Sequence, residues 1–254
     1  MKINCGSQLY TYRNVIKTES DLREVLGRIS SYGCASAQWS GVRVDVSGKE
    51  LKAMGDEFGI VIPLSHTPFK KIVCETERVA EWHVEAGAHT VGLGMMPMEY
   101  LKNEDKLKEF CLKANEIGER LKPYGLKFGC HNHAMEFKEI GGKKVLDHLR
   151  ENCPDLEFIF DTFWCTYAGE SPTEWLGRLK GRVRDIHLKD GKPSILKIPR
   201  IRDVGKGGLD FGEILRVAEE SGTEYALIEH DFTRNPDKTT QESMAHLKEI
   251  YLEK

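Results

Sequence analysis

Strand-like and helix-like segments alternate along nearly the whole chain. Eight short apolar runs suited to buried parallel strands occupy residues 3–9, 35–39, 59–64, 90–93, 126–131, 156–161, 183–187 and 225–229. An amphipathic stretch follows each run, at residues 20–29, 49–57, 72–85, 104–121, 144–151, 172–179, 211–220 and 241–252. Repeated βα units build a parallel sheet. The alternation therefore predicts an α/β fold without reference to any single motif.

Local helix signals support the alternation. In residues 104–121, Leu107, Phe110 and Ala114 recur at spacings of three and four and so share one helix face. Ser171-Pro172-Thr173-Glu174 has the form of a helix start, with a serine N-cap, a proline at the first helical position and a glutamate three residues on.

The length of 254 residues suits one large domain of the α/β class. No linker, charge block or low-complexity segment interrupts the eight units, so we predict one domain over residues 1–254, a single (β/α)8 TIM barrel. A doubly wound open sheet is the alternative. No GxGxxG motif follows the first strand, so a dinucleotide site has no support.

The composition of the chain limits which partners and which cellular compartment we expect. A net charge of −3 gives no general attraction for nucleic acid or anionic membranes, and no apolar run approaches membrane-spanning length, so we expect neither partner. Seven cysteines without CxxC pairing predict neither a disulfide framework nor a thiolate zinc site. Reduced cytosol, and hence a cytoplasmic location, is the expected compartment.

Four of the predicted strands end in short clusters of polar residues. In a barrel, the carboxyl ends of the strands meet at one mouth, where the loops build the functional site. The clusters are Cys130-His131-Asn132-His133 with Glu136, Asp161-Thr162-Phe163-Trp164, His187-Leu188-Lys189-Asp190 and Glu229-His230-Asp231.

These clusters supply a mixed set of nitrogen and oxygen ligands. Two histidines, an aspartate and a glutamate from separate strands suit a divalent ion such as Mn²⁺, Zn²⁺, Co²⁺ or Mg²⁺, and the identity of the ion stays open. His131 and His133 share one strand face with Gly129, so both are expected to turn toward the barrel mouth together. One histidine alone is more often a surface or core residue, but four such residues at four strand ends indicate a metal site.

The chain resembles the xylose isomerase-like TIM barrels, which include sugar-phosphate isomerases and epimerases, ketose 3-epimerases, inosose dehydratases and endonuclease IV. The resemblance spans nearly the whole chain and lies in the order of several short motifs. They are Gly6-Ser7-Gln8-Leu9-Tyr10-Thr11-Tyr12-Arg13, His66, His131-Asn132-His133 with Glu136-Phe137, Asp161 to Trp164 with Ala168-Gly169, His187-Leu188-Lys189-Asp190, Val204-Gly205-Lys206-Gly207-Gly208-Leu209-Asp210-Phe211 and Ile228-Glu229-His230-Asp231.

The resemblance implies a metal held by one residue on strand five together with Asp161, His187 and Glu229. Many members of the family have a glutamate on strand five, whereas this chain has His131, which we expect to be the fourth ligand. The pair of carboxylates that conventionally flanks the substrate is therefore in question here.

Such a site suits proton abstraction next to a carbonyl, because a metal on the ketone oxygen and its neighbouring hydroxyl stabilises an enediolate. Glu229 is expected to be both ligand and base. Lys189, His133 and Glu136 are candidates to return a proton, and Lys189 is equally suited to binding a substrate hydroxyl or phosphate.

Four further residues are candidates for substrate binding. Trp164 and Trp39 follow strand ends, where each can stack on a sugar ring or pack in the core, and His66 follows the third strand. Gly205 begins a Gly-Lys-Gly-Gly loop whose N–H groups either accept a phosphate or simply permit a tight turn.

The sequence therefore predicts a metal-dependent isomerase or epimerase of a keto-sugar or sugar phosphate. A lyase of the same superfamily, acting on an inosose or a 3-keto-glycoside, is the alternative, since the added general acid at His131 suits leaving-group protonation. A DNA-repair endonuclease would need many more metal ligands, with a histidine where Trp164 stands, and a non-enzymatic sugar-binding barrel is the remaining class. The expected partner is a small sugar, and barrels of this kind often form homo-oligomers.

Overall fold

The computed structural model describes residues 2–193 and 198–253. The strands in these residues are β1 Asn4–Gln8, β2 Ser36–Gln38, β3 Leu64–His66, β4 Thr90–Leu93, β5 Lys127–His131, β6 Glu139–Ile140, β7 Lys143–Lys144, β8 Glu157–Asp161, β9 Asp185–Leu188, β10 Asp190–Pro193, β11 Pro199–Arg202 and β12 Tyr225–Ile228.

The helices are α1 Glu19–Ser31, α2 Gly48–Phe58, α3 Phe69–Cys74, α4 Thr76–Ala86, α5 Glu104–Leu121, α6 Val145–Asn152, α7 Thr162–Tyr167, α8 Pro172–Arg178, α9 Phe211–Glu220 and α10 Pro236–Leu247. Short 3₁₀ turns occupy Leu9–Tyr12, Met98–Leu101, Lys122–Tyr124 and Ala134–Phe137, and a π-helical turn occupies Lys248–Leu252. No helix in the described ranges has both the length and the apolarity of a membrane-spanning segment.

Eight parallel strands form a nearly closed barrel with helices between them. Their order is β2-β1-β12-β9-β8-β5-β4-β3, and bridges from Ser36 to Val61 and from Trp39 to Ser65 bring β2 and β3 together. This arrangement confirms the predicted TIM barrel. The single domain over residues 1–254 stays a prediction.

The third strand differs from its predicted position at residues 59–64. Val61 forms only an isolated bridge with Ser36, and the strand itself begins at Leu64. Pro63 lies between them and has no N–H to donate to a neighbouring strand, which explains the late start.

Two helices also differ from the prediction, and the structure adds elements that the periodicity missed. The segment predicted at 72–85 is two helices, because Glu75 leaves the helical region with φ −132° and ψ 36°. The last helix begins at Pro236, where the side chain of Asn235 caps it by accepting a hydrogen bond from the Lys238 N–H. Two small hairpins, β6 with β7 and β10 with β11, extend from the barrel.

The main core lies between the sheet and the surrounding helices. Outward-facing Phe128, Phe158 and Phe160 are buried in one cluster with Phe110 of α5 and Trp175 of α8. Burial of each such side chain contributes roughly 1.5–3 kcal/mol, so the helices hold the strands in place. The prediction that Phe110 lies on a buried face of its helix is confirmed.

A smaller cluster fills the interior of the barrel beneath the mouth. It consists of Leu64, Ile159 and Leu227, all fully buried. Ile159 is in register with His131, and Leu227 with His187. These three apolar residues therefore form the floor of the mouth, directly beneath His131 and His187.

His83 of α4 is buried as a neutral histidine, which makes the stability of the fold depend on pH. Its Nδ1 lies 2.6 Å from the Val79 carbonyl and its Nε2 2.7 Å from the Ser65 hydroxyl. Burial lowers the pKa of His83 to about 4 from an ordinary value of 6.5. The unfolded chain therefore takes up a proton near pH 6.5, whereas the folded chain does not until about pH 4.

We expect this histidine to contribute stability that is present above pH 6.5 and lost as the pH falls to 4. The loss is about 3 kcal/mol in the free energy of unfolding. Urea denaturation across this range should show the loss in the wild type and in a His246→Gln control, and a shallower loss in His83→Gln. Equal pH dependence in all three proteins would contradict this assignment.

Candidate active site at the carboxyl ends of the strands

Four side chains from four strand ends meet inside the barrel mouth. They are His131 at the end of β5, Asp161 at the end of β8, His187 in β9 and Glu229 directly after β12. Each offers one nitrogen or oxygen atom, and these four atoms all lie within 4.8 Å of one another. All four residues are buried. Residues that are far apart in the sequence thus form one compact group of potential metal ligands.

The four potential ligand atoms lie close to each other but do not form hydrogen bonds with one another. His131 Nε2 lies 3.5 Å from Asp161 Oδ2, and His187 Nδ1 lies 2.9 Å from Glu229 Oε2. None of these four atoms has a hydrogen bond of acceptable geometry within the described part of the chain. The two carboxylate oxygens form ion pairs with the Lys189 ammonium, whereas the two histidine nitrogens are unpaired. Unpaired buried polar atoms are costly, so these nitrogens, together with the two carboxylates beside them, indicate a site for a ligand.

Neighbouring groups orient the donors. Gln38 Oε1 accepts a hydrogen bond from His187 Nε2 at 2.6 Å, which leaves the lone pair of Nδ1 facing Glu229. Asp161 Oδ1 accepts the Trp164 N–H at 2.8 Å as the N-cap of α7, so its Oδ2 is the atom directed at the cluster. This is the outer support that metal-binding histidines and carboxylates generally have.

The protonation states also suit metal binding. Burial lowers the pKa of His131 well below its usual range, which keeps the imidazole neutral. Burial would raise the pKa of Glu229, but the Lys189 ammonium and His187 outweigh it and hold that pKa well below its usual range. A neutral imidazole and an ionised carboxylate are the forms that bind a metal ion.

Lys189 is a buried ammonium group beside the cluster. Its Nζ lies 3.1 Å from Asp161 Oδ2, 3.0 Å from Glu229 Oε2 and 3.2 Å from Asp231 Oδ1. Burial alone would lower the pKa of Lys189, but the three carboxylates raise it. With all three ionised, three negative charges and one positive charge leave a balance of −2, which a divalent cation neutralises.

A cavity of about 520 Å³ opens over this group. Its polar lining includes His66, His133, Lys189, Glu229 and Asp231. Its outer wall is apolar and is formed by Tyr10, Phe69, Leu93, Met95 and Phe232. The size suits a small molecule with a polar end near the cluster.

Of the residues predicted to carry protons, His133 reaches the active-site cavity and Glu136 does not. His133 lines the cavity, with its ring 4.7 Å from that of His131 between centroids. Glu136 is fully buried and is not among the lining residues; its Oε2 accepts the His133 N–H at 2.7 Å. Burial raises the pKa of Glu136 to about 7. Glu136 thus holds the backbone of His133 and does not reach the cavity.

Of the residues predicted to bind substrate, His66 lines the active-site cavity, whereas Trp164 and Trp39 do not. The Trp164 ring lies under the Lys189 ammonium, 5.6 Å from Nζ to its centroid, and is not among the lining residues. His66 lines the cavity, with ring centroids 5.3 Å from His131 and 5.4 Å from His187. Trp39 lines a neighbouring cavity instead. Their roles toward a substrate stay predictions.

The Gly-Lys-Gly-Gly loop is organised by a carboxylate of the chain itself. Asp190 Oδ2 accepts the N–H groups of Gly205 at 3.0 Å and Gly207 at 2.9 Å, and its Oδ1 accepts that of Gly208 at 3.0 Å. These donors are therefore already used, and a phosphate would have to displace Asp190 to bind them. The structure supports the alternative of a tight loop.

Sequence reasoning assigned no role to several residues that support the site. Gln38, Gln8 and Asp231 contact His187, Glu229 and Lys189, respectively. Gln8 and Gln38 are in register in neighbouring strands and face the interior. Their inward direction follows from strand alternation, but their partners come from distant strands and leave no local signal.

Comparison with known proteins gives the same fold. The sequence model of the family described as xylose isomerase-like TIM barrel matches residues 27–250. An inosose dehydratase from Clostridium perfringens is 29% identical over 150 residues, which is 52% of this chain and 49% of that protein. One from Clostridium beijerinckii is 25% identical over 173 residues, or 59% and 57% of the two chains. The chain spans about half the length of the curated relatives it matches.

Solved structures are similar over almost the entire chain. A sugar phosphate isomerase/epimerase from Parabacteroides distasonis has a TM-score of 0.82 and 22% identity, covering 100% of this chain and 96% of that one. The probable 3-DHS dehydratase AsbF from Bacillus anthracis has a TM-score of 0.76 and 13% identity, covering 98% and 99%. Identities this low support the fold alone.

The role of Asp190 gives a prediction about stability. Asp190→Ala removes a buried carboxylate that accepts hydrogen bonds from several partly buried N–H groups of the loop, and it should lower the free energy of unfolding by about 3 kcal/mol or more. Asp203→Ala in the same loop removes a partly exposed ion pair with Lys206 and should cost less than about 1 kcal/mol. Chemical denaturation of the two variants measures both values. Equal losses would contradict the role given to Asp190.

Proposed function

Because the chain belongs to the xylose isomerase-like TIM barrel family, we propose that it is a metal-dependent enzyme that removes the proton next to the carbonyl of a keto-sugar or keto-polyol. One observation carries this proposal: four buried ligand atoms from four strand ends lie within 4.8 Å of one another, and the two histidine nitrogens among them lack hydrogen-bond partners in the described residues.

The ligands of the metal in this proposal are His131, Asp161, His187 and Glu229. Two imidazoles and two carboxylates suit Mn²⁺, Zn²⁺, Co²⁺ or Mg²⁺. The charge of −2 from the three carboxylates and Lys189 supports a divalent ion. When bound, such an ion supplies positive charge next to an oxygen that becomes negative during the reaction.

Glu229 is the base in this mechanism. It lines the cavity, and its low pKa keeps it ionised and able to accept the proton from the carbon next to the carbonyl. Gln8 Nε2 donates to its Oε1 at 3.4 Å and orients the carboxylate. Lys189 lies beside the same carboxylate and can donate a hydrogen bond or a proton to a substrate oxygen.

The second half of the reaction is β-elimination in this proposal. His131 replaces the carboxylate of strand five, and the lining carboxylates Glu229 and Asp231 both contact Lys189. Elimination needs one base and one acid: the C–H bond breaks toward Glu229, a C=C bond forms, and the β C–O bond breaks while Lys189 protonates the departing oxygen. The printed names of the relatives, inosose dehydratases, support this choice.

Isomerisation or epimerisation is the second candidate and begins with the same abstraction. His133 lines the cavity, and its Nδ1 has no hydrogen-bond partner in the described residues, so it is available to return a proton to carbon. In that case the product keeps the mass of the substrate.

The remaining predictions concern partners and compartment. A small keto-sugar or keto-polyol is the proposed partner. All seven cysteines are free thiols in the structure, and the cytoplasmic compartment stays a prediction. The homo-oligomer stays a prediction.

Exchange in deuterium oxide tests the proposal. The protein with added Mn²⁺ is incubated with a panel of inososes, 3-keto-glycosides and ketoses, and the products are analysed by mass spectrometry and NMR. We expect metal-dependent loss of water or of an alcohol, with deuterium next to the carbonyl in substrate molecules whose proton abstraction reverses before the leaving group departs. Glu229→Gln should lower the rate by about 10²–10⁴-fold. Glu213→Gln, an exposed glutamate of α9, is the matched control.

The products separate the two candidates. Exchange with conserved mass would favour the isomerase or epimerase, and exchange with loss of a leaving group would favour the lyase. Turnover that survives both a chelator and Glu229→Gln would contradict the proposed mechanism.

A further inference from the structure

A second cavity adjoins the candidate active site and has no part in the mechanism above. Its volume is about 690 Å³, compared with about 520 Å³ for the active-site cavity. The two cavities share five lining residues, Ser40, Gly41, His66, Thr67 and Pro68. A molecule bound at the strand ends is therefore next to a further space of similar size.

Two tryptophans form the aromatic part of this second cavity. Trp39 follows β2 and Trp82 lies on α4, with ring centroids 5.9 Å apart and an angle of 41° between the rings. Trp82 Nε1 donates to the Val46 carbonyl at 3.0 Å, and the Trp39 backbone is hydrogen-bonded to Leu64 and His66 at 3.1 and 2.8 Å. The Trp82 ring and the Trp39 backbone are thus held in place by hydrogen bonds within the protein.

Charged side chains of both signs surround the aromatic pair. Acidic groups outnumber basic ones: the cavity is lined by Asp45, Glu50, Glu81 and Glu85 together with Lys71 and Arg78. An acidic balance disfavours an anionic ligand such as a phosphate. Aromatic faces for the C–H surface of a ring and carboxylates for its hydroxyl groups together suit an uncharged sugar.

His66 is one of the five residues that line both cavities. Its Nδ1 lies 3.3 Å from the Ser40 hydroxyl, and its Nε2 is buried without a hydrogen-bond partner in the described residues. Its ring centroid lies 5.3 Å from that of His131. A bond between two rings of one substrate would pass His66 when one ring lies over the donor atoms and the other against Trp82.

We propose that the second cavity is a subsite for an uncharged glycosyl unit, so that the substrate is a keto-glycoside of two linked rings. This inference rests on the proposed function. The ring that carries the ketone occupies the active site, and the other ring is the leaving group. Removal of the proton next to the ketone forms the C=C bond, the glycosidic C–O bond breaks, and the second sugar leaves as an alcohol with a proton on its oxygen.

The test compares a two-ring substrate with a one-ring substrate. The 3-keto derivative of cellobiose and methyl 3-keto-glucoside are assayed with the metal-loaded protein. We expect kcat/KM for the disaccharide to exceed that for the methyl glycoside about tenfold, the value of one good stacking contact. Trp82→Leu should remove most of this ratio, and Trp82→Phe, which keeps an aromatic face, should retain most of it.

Glu77→Gln is the matched control because Glu77 lies on the same helix but pairs with Arg120, away from the cavity. It should leave the ratio unchanged. A ratio near one in the wild type, or a ratio that Trp82→Leu does not alter, would overturn the subsite.

A binding measurement keeps failure of the subsite distinct from failure of the proposed function. Saturation-transfer NMR with unoxidised cellobiose and with glucose needs no turnover. Stronger binding of cellobiose that is lost in Trp82→Leu supports the subsite even when no keto-glycoside reacts, in which case the proposed elimination fails. Turnover of both substrates, with no Trp82-dependent preference for cellobiose, supports the elimination and overturns the subsite.

Discussion

The structure of the barrel mouth depends on how negative charge is balanced where the strands converge. Asp161, Glu229 and Asp231 lie around one ammonium group, that of Lys189, within 3.2 Å. Buried carboxylates are tolerated only when other charges and hydrogen bonds compensate them. Lys189 supplies one positive charge, and with the three carboxylates ionised the remaining charge of −2 suits a divalent cation held by two histidines and two carboxylates.

The histidine on strand five changes this balance. A glutamate in place of His131 would add a further negative charge, whereas a neutral imidazole adds a ligand without charge. In the proposed mechanism, Glu229 is the base and Lys189, which lies beside it, is the proton donor. Elimination needs only one group of each kind, and this is the reason that we propose it ahead of proton return to the opposite face.

The sequence predicted the barrel and the polar clusters at its strand ends because both follow from local patterns, and the resemblance to the family selected the four ligand residues among them. A strand ends where its apolar run ends, and parallel order brings such ends to one mouth, so His131 and Asp161 could be assigned to the same place. The third strand was placed too early because Pro63 interrupts an otherwise apolar run. The contact of Gln38 with His187 joins residues far apart in the chain, as does that of Asp190 with Gly207, and neither has a local signal.

The most direct test of the central claim is anomalous X-ray scattering from crystals grown with Mn²⁺. The account predicts one strong peak in the barrel mouth, within about 2.0–2.3 Å of one donor atom each from His131, Asp161, His187 and Glu229, with Lys189 beside it. A well-ordered mouth without a peak, or an ion bound by other residues, would contradict the account.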